Sequence, residues 1–219
     1  MAGRPRRRAR RRNARKNPAL LPRPGVHLQW KGGRSGRALW EPEGQTRQKP
    51  FIAFLHLYEG DRLIGGASIR ELPREGARGR RAARISGVVA EHGWGPLLYD
   101  SAALLAGKQG LLLVAHSIEA VKMGKTYTVA STSPEAQGVW EGYLRRSDVQ
   151  IVERPAYLPT SSIDWGIYLS PQSFEKAWGV DADQWLSHRK PVWAQVPHKE
   201  WDTLFDQLYQ GEGSGRSYL

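Results

Sequence analysis

The 219-residue chain contains no cysteine, which excludes a disulfide framework, thiolate metal sites and cysteine nucleophiles. Its net charge of +12 is unevenly spread: residues 1–50 hold 15 Lys/Arg against Glu41 and Glu43, while the rest carries 18 basic and 19 acidic side chains. A 40% apolar fraction with nine Trp suffices for one folded domain, and runs such as Leu111–Ala115 fall far short of the ~20 apolar residues that span a bilayer.

From the N-terminus, Arg4, Arg6, Arg7, Arg8, Arg10, Arg11, Arg12, Arg15 and Lys16 have no acid among them, so self-repulsion predicts a disordered, extended arm over 1–16. No apolar stretch follows the arginines, because Pro22 and Pro24 interrupt it. A secretory signal is therefore not expected, and the chain reads as intracellular. Prolines and glycines make 17–50 an irregular connector with a short strand at Val26–Trp30. Phe51–Tyr58 and Arg62–Leu72, joined by Glu59-Gly60-Asp61, read as a β-hairpin. Ala83–Ala90 reads as a third strand, ended by Gly93-Trp94-Gly95. Pro96 then suits the first position of a helix over 96–108. Leu111–Ala115 is a continuous apolar run, as in a strand buried on both faces. Ser133-Pro134-Glu135 opens a second helix reaching Arg146, and Val149–Val152 and Trp165–Leu169 are further strands. Residues 171–210 read as a helical C-terminal extension and 211–219 as a flexible tail. The near-regular spacing of Trp178, Trp185, Trp193 and Trp201 suits packed helix faces better than a base-stacking platform.

The order hairpin, strand, glycine turn, helix, strand, helix, strand resembles the core of the GNAT acetyltransferases, and covers about residues 51–155. In that family a Q/R-x-x-G-x-G/A loop binds the CoA pyrophosphate through backbone amides and a helix N-terminus. Ala90-Glu91-His92-Gly93-Trp94-Gly95 occupies that place and keeps both glycines. Ala90 replaces the Gln or Arg, and Glu91 adds an acid. The run Gly-Trp-Gly-Pro-Leu-Leu-Tyr-Asp at 93–100, with Val139-Trp140, is similar to GNAT-like proteins of tailed bacteriophages.

The resemblance implies an α/β (α+β) fold over 51–170: a mixed, mostly antiparallel central sheet flanked by helices. It implies acetyl-CoA as cofactor, an amine of unspecified identity as acceptor, and cofactor contacts from His92, Gly93, Trp94, Gly95 and Pro96. The amides of Gly87, Val88 and Val89 would polarise the thioester carbonyl. The family's N-x-x-A-x-x-L-Y helix corresponds to Ser133, Ala136, Val139 and Trp140. Its acidic tyrosine is therefore a tryptophan, and Tyr143, one turn on, is the substitute. Glu71, Glu91 and His92 are candidate bases for the amine. The six histidines show no metal-ligand spacing, so no metal is expected.

Two functions follow as expectations: an acetyl-CoA-dependent N-acyltransferase, or a GNAT-fold protein without chemistry that serves a structural or nucleic-acid-associated role in a phage particle. In both, the arm binds nucleic acid or another polyanion, and it has no apolar face for a membrane.

Overall fold

The computed structural model describes residues 25–34, 50–72, 80–115, 119–123, 126–130, 134–156, 158 and 163–190, with no side-chain description for 119–130. The expected arm over 1–16 and tail over 211–219 lie outside these residues, as do Ser133, Trp193 and Trp201.

β1 (Val26–Arg34) pairs antiparallel with β2 (Phe51–Glu59) over its whole length, and β2 turns at Gly60 into β3 (Arg62–Glu71). Gly60 has φ 60°, which a glycine adopts without the Cβ penalty of other residues. Alternation puts Leu28 and Trp30 of β1 and Phe51, Ala53, Leu55 and Leu57 of β2 on one buried face. β3 pairs antiparallel with β4 (Ala82–Ala90). The chain then crosses through α1 (Gly95–Lys108) into β5 (Leu112–Val114), which lies parallel to β4. A hairpin of β6 (Glu119–Met123) and β7 (Thr126–Ala130) stands apart as a two-stranded sheet. α2 (Pro134–Tyr143) leads to β8 (Val149–Glu153) and β9 (Trp165–Leu169), and β9 pairs antiparallel with both β8 and β5. The chain continues through α3 (Pro171–Trp178), α4 (Ala182–Trp185) and β10 (Arg189–Lys190), the last parallel to β1.

The result is an α+β fold built on an eight-stranded, mostly antiparallel mixed sheet of order β10-β1-β2-β3-β4-β5-β9-β8, packed against helices. α1 is its centre: every residue from Leu97 to Ala106 is buried, against β3, β4, β5, β9 and α3. Such burial suits a helix apolar nearly all round.

Three boundaries differ from the sequence reading. The strand expected at 26–30 extends to Arg34 and contributes Leu28 and Trp30 to the core, so part of the expected connector belongs to the folded unit. The C-terminal extension is likewise integral over 171–190. Phe174, Trp178, Ala182, Trp185 and Leu186 join the same core, and the Trp30 indole donates to the Leu186 carbonyl at 2.8 Å. The strand and the helices were read, but not their place in one core, because the partners lie some 150 residues apart, a separation local pattern cannot show. The helix expected to reach Arg146 ends at Tyr143, and the β6–β7 hairpin was not read from the sequence.

Candidate functional site

β4 pairs with β5 only from Ala82↔Leu112 to Arg84↔Val114. Beyond Arg84, no β5 partner of β4 is found among the described residues. β4 also carries a bulge there. Gly66↔Val89 and Ser68↔Ser86 bracket Gly87 and Val88 on β4 against Ala67 alone on β3, and Gly87 sits at φ 57°. A bulge of this kind bends the strand and frees backbone groups from the ladder. Gly87 is exposed, Val88 half-buried and Val89 buried.

β4 then runs into the glycine turn. The Glu91 amide donates to the Ile64 carbonyl at 2.9 Å and the Trp94 amide to the Glu91 carbonyl at 3.1 Å, which fixes the turn to β3. Among the described residues, no acceptor is found for the backbone N–H of His92, Gly93 or Gly95. Gly93 has φ 89°, and a Cβ built on Gly95 would meet nothing within 4 Å. α1 starts at Trp94 with no side-chain cap, and Pro96 brings no N–H of its own. α3 and α4 begin differently: Ser170 and Asp181 accept from Ser173 and Gln184 amides at 3.1 and 2.7 Å. Uncapped amides at a helix start attract anions, because the helix dipole adds to the N–H charges.

Glu91 stands beside these amides, but its carboxylate is held by Arg62, which also binds Glu59 at 2.5 Å. The acid that the sequence sets against an anion here thus has a cation across it. His92 is exposed, and Trp94 packs part of its ring on the core.

The three side chains expected to carry chemistry are not brought together. Glu71 lies six residues along β3 from Gly65, the residue level with the turn, which is about 20 Å away. It is buried, accepts from the Phe51 amide at 2.9 Å, and is ion-paired with Arg34 at 3.2 Å and Arg81 at 2.7 Å. Its task is to tie the ends of β1, β2 and β4 together. Glu91 is engaged by Arg62, as above. Tyr143 is 2% exposed, and its hydroxyl donates to Asp100 at 2.8 Å. Burial, with the Asp100 carboxylate beside it, pushes that hydroxyl well above its ordinary range. As placed, Tyr143 is a core donor.

The sequence reading missed Asp100. This carboxylate, 1% exposed in the otherwise apolar α1, accepts from Tyr143, from the Trp178 indole at 2.7 Å and, on both of its oxygens, from Arg146 Nη1 at 2.9 and 2.7 Å. Burial raises its pKa, and Arg146 works against that rise. Arg146 in turn holds Asp148 at 2.8 Å, which lowers the Asp148 pKa. The next residue, Ser101, accepts from the Trp185 indole at 2.9 Å and donates to the Leu97 carbonyl at 2.7 Å. An aspartate in the middle of an apolar helix signals a buried partner, since a lone buried charge is too costly. The sequence could not say which cation supplies it. Trp140 is 1% exposed and meets Tyr99, Tyr143 and Trp165 edge-on at 5.5–6.0 Å between ring centres.

A groove of about 650 Å³ lies at the opposite end of α1, lined by Lys108, Asp148, Gln150, Tyr168, Ser170 and Ser173 among others. Its polar groups are largely committed, Lys108 to Asp183, Asp148 to Arg146 and Ser170 to Ser173. Among the described residues no group of three or more His, Asp or Glu could hold a metal, and no helix is long and apolar enough to cross a membrane. The chain matches no family model, and no curated protein matches it.

Proposed function

We propose that the protein is an acetyl-CoA-dependent N-acyltransferase whose chemistry rests on backbone groups and positioning. The observation that carries this reading is a glycine turn at the start of α1 in which no acceptor is found for three amides among the described residues, preceded by a bulge at Gly87–Val88 of β4. An acyl-CoA has a pyrophosphate that seeks such amides and an amide-bearing arm that can pair with the backbone of β4 at Gly87–Val89. The residues present fit it. Gly95 leaves the approach clear, Gly93 takes a positive φ of 89°, Pro96 stands in the first turn of the helix behind them, and Arg62 offsets Glu91. The cofactor, when bound, supplies the activated thioester. On the protein's side, His92, Gly93, Trp94 and Gly95 hold the phosphates, and a β4 amide polarises the carbonyl that an acceptor amine attacks. His92 is the exposed side chain nearest to act as base, directly or through water.

Calorimetry with acetyl-CoA tests this. Micromolar binding is expected, falling at least tenfold in Gly95→Glu, whose side chain enters open space and leaves the fold intact. No binding at millimolar acetyl-CoA overturns the reading.

A second reading is favoured by one observation, the commitment of Tyr143, Glu71 and Glu91 to other partners. In it the domain is a GNAT-fold component without chemistry, as in a phage particle. Binding of acetyl-CoA without transfer to any tested amine would select it.

Under either reading, Arg4 to Lys16 attach the protein to nucleic acid or another polyanion by displacing counterions, whether in the host cytoplasm or in a virion. Deleting residues 2–16 is expected to weaken DNA binding and flatten its salt dependence.

A further inference from the structure

In the two segments that meet at the glycine-turn end of the sheet, 57–66 and 88–97, Arg62 is the one Lys or Arg. It opens β3 opposite Glu59 across the hairpin, and two acids share its guanidinium. Nη2 binds Glu59 at 2.5 Å, and Nη1 binds Glu91. Glu91 belongs to the turn itself. Its amide is tied to the Ile64 carbonyl of β3, and the next two residues are His92 and Gly93, whose amides find no acceptor among the described residues. The guanidinium therefore stands one carboxylate away from the backbone that would hold phosphate.

Three properties suit Arg62 to more than screening Glu91. The Arg62 and Glu91 side chains keep 56% and 39% of their surface exposed, and an ion pair so placed is weak, so exchanging it for another anion costs little. Glu59 holds a different nitrogen from Glu91, so the guanidinium stays anchored while Nη1 changes partner. The planar fork also matches phosphate oxygens as well as it matches a carboxylate. In the unliganded protein the Glu91 carboxylate thus takes the donor that a phosphate at the turn would use.

We infer, resting on the reading of the turn as an acyl-CoA site, that Arg62 is a direct binding residue for the cofactor's phosphates and that Glu91 is its resting partner, displaced when they arrive. The phosphates then meet backbone amides from one side and a guanidinium from the other. Glu91 makes occupancy a competition. A ligand must present enough negative charge to replace a carboxylate, which favours a pyrophosphate over a singly charged group.

The test is calorimetry with acetyl-CoA on the full chain, comparing wild type, Arg62→Gln, Glu91→Gln and the double variant. Thermal melting of each should match wild type, since both side chains are largely solvated. Arg62→Gln is expected to weaken binding about tenfold, the loss of one charge-assisted hydrogen bond. Glu91→Gln, which removes the competitor, is expected to bind about threefold tighter. The double variant separates direct contact from screening. It should stay about tenfold weaker than Glu91→Gln if Arg62 touches the phosphates. Affinity equal to that of Glu91→Gln would make Arg62 a mere counter-charge and overturns the inference. Wild-type binding that Gly95→Glu abolishes and Arg62→Gln leaves unchanged overturns it alone, with the acyl-CoA reading intact. No wild-type binding at millimolar acetyl-CoA overturns both.

Discussion

The two halves of the strand-turn-helix unit at the molecule's centre are built to opposite rules. From Leu97 to Ala106, α1 is sealed on all sides, and its two polar residues are fully used. Asp100 is tied to α2, α3 and Arg146, and Ser101 to α4. A few residues earlier, three amides of the turn find no acceptor among the described residues, the helix start has no side-chain cap, and no described atom lies within 4 Å of a Cβ on Gly95. The contrast teaches that packing energy was placed where it fixes the helix and kept away from the backbone that a ligand would use. A turn serving only as a connection would gain from a capping side chain, as α3 and α4 do.

The largest effect that could break this comparison is at Asp100. Asp100→Ala leaves the Trp178 indole and the Tyr143 hydroxyl without their acceptor in the core and Arg146 with Asp148 alone. It is expected to cost about 3–5 kcal/mol, as for breaking a buried ion pair. Thermal melting should show a Tm lower by about 10 °C or more for a chain of this size. A near-normal Tm would mean that the Asp100 network does not hold α1 to its neighbours.

Next is Gly65, where β3 packs against Leu98 of α1. An added Cβ would lie 2.8 Å from the Leu98 side chain and 3.1 Å from the Val89 carbonyl. Gly65→Ala is expected to destabilise by about 1–3 kcal/mol through overpacking, measured by urea unfolding.

A smaller effect is tied to pH. The hydrogen bond from Arg146 holds the Asp148 carboxyl below its ordinary 3.8. Its stabilising share is therefore complete above that value and is lost as pH falls through the folded-state value. The Tm difference between wild type and Asp148→Asn should be present near neutrality and close as the solution is taken to about pH 2. A gap that persists unchanged into acid would contradict the pairing.

Smallest in stability is Gly95→Glu. Its Tm should match wild type while its affinity for acetyl-CoA falls, which would show the turn to be spared by packing and used for binding.

Much of the fold was legible locally. Alternation gave the β2–β3 hairpin, the pairing of Gly turn and Pro96 placed the start of α1 within one residue, and the apolar run at 111–115 gave β5. Trp178 and Trp185, read as packed faces, are buried in the core. The expected site fared unevenly. The turn residues His92 to Pro96 are contiguous and keep their arrangement whatever surrounds them. Tyr143, Glu71 and Glu91 depended on long-range placement, and the sheet register put Glu71 at one end and Glu91 at the other.

By itself, then, the sequence determined the elements, the glycine turn and the basic character of residues 1–16, because each depends on neighbours a few positions away. The tertiary structure alone decided that β1, α3 and α4 share one core, that Asp100 finds Arg146, and that Glu71 and Glu91 fall at opposite ends of the sheet. Those outcomes hang on which strands pair and in what register. Pairing of segments tens to more than a hundred residues apart is a property of the whole packed chain.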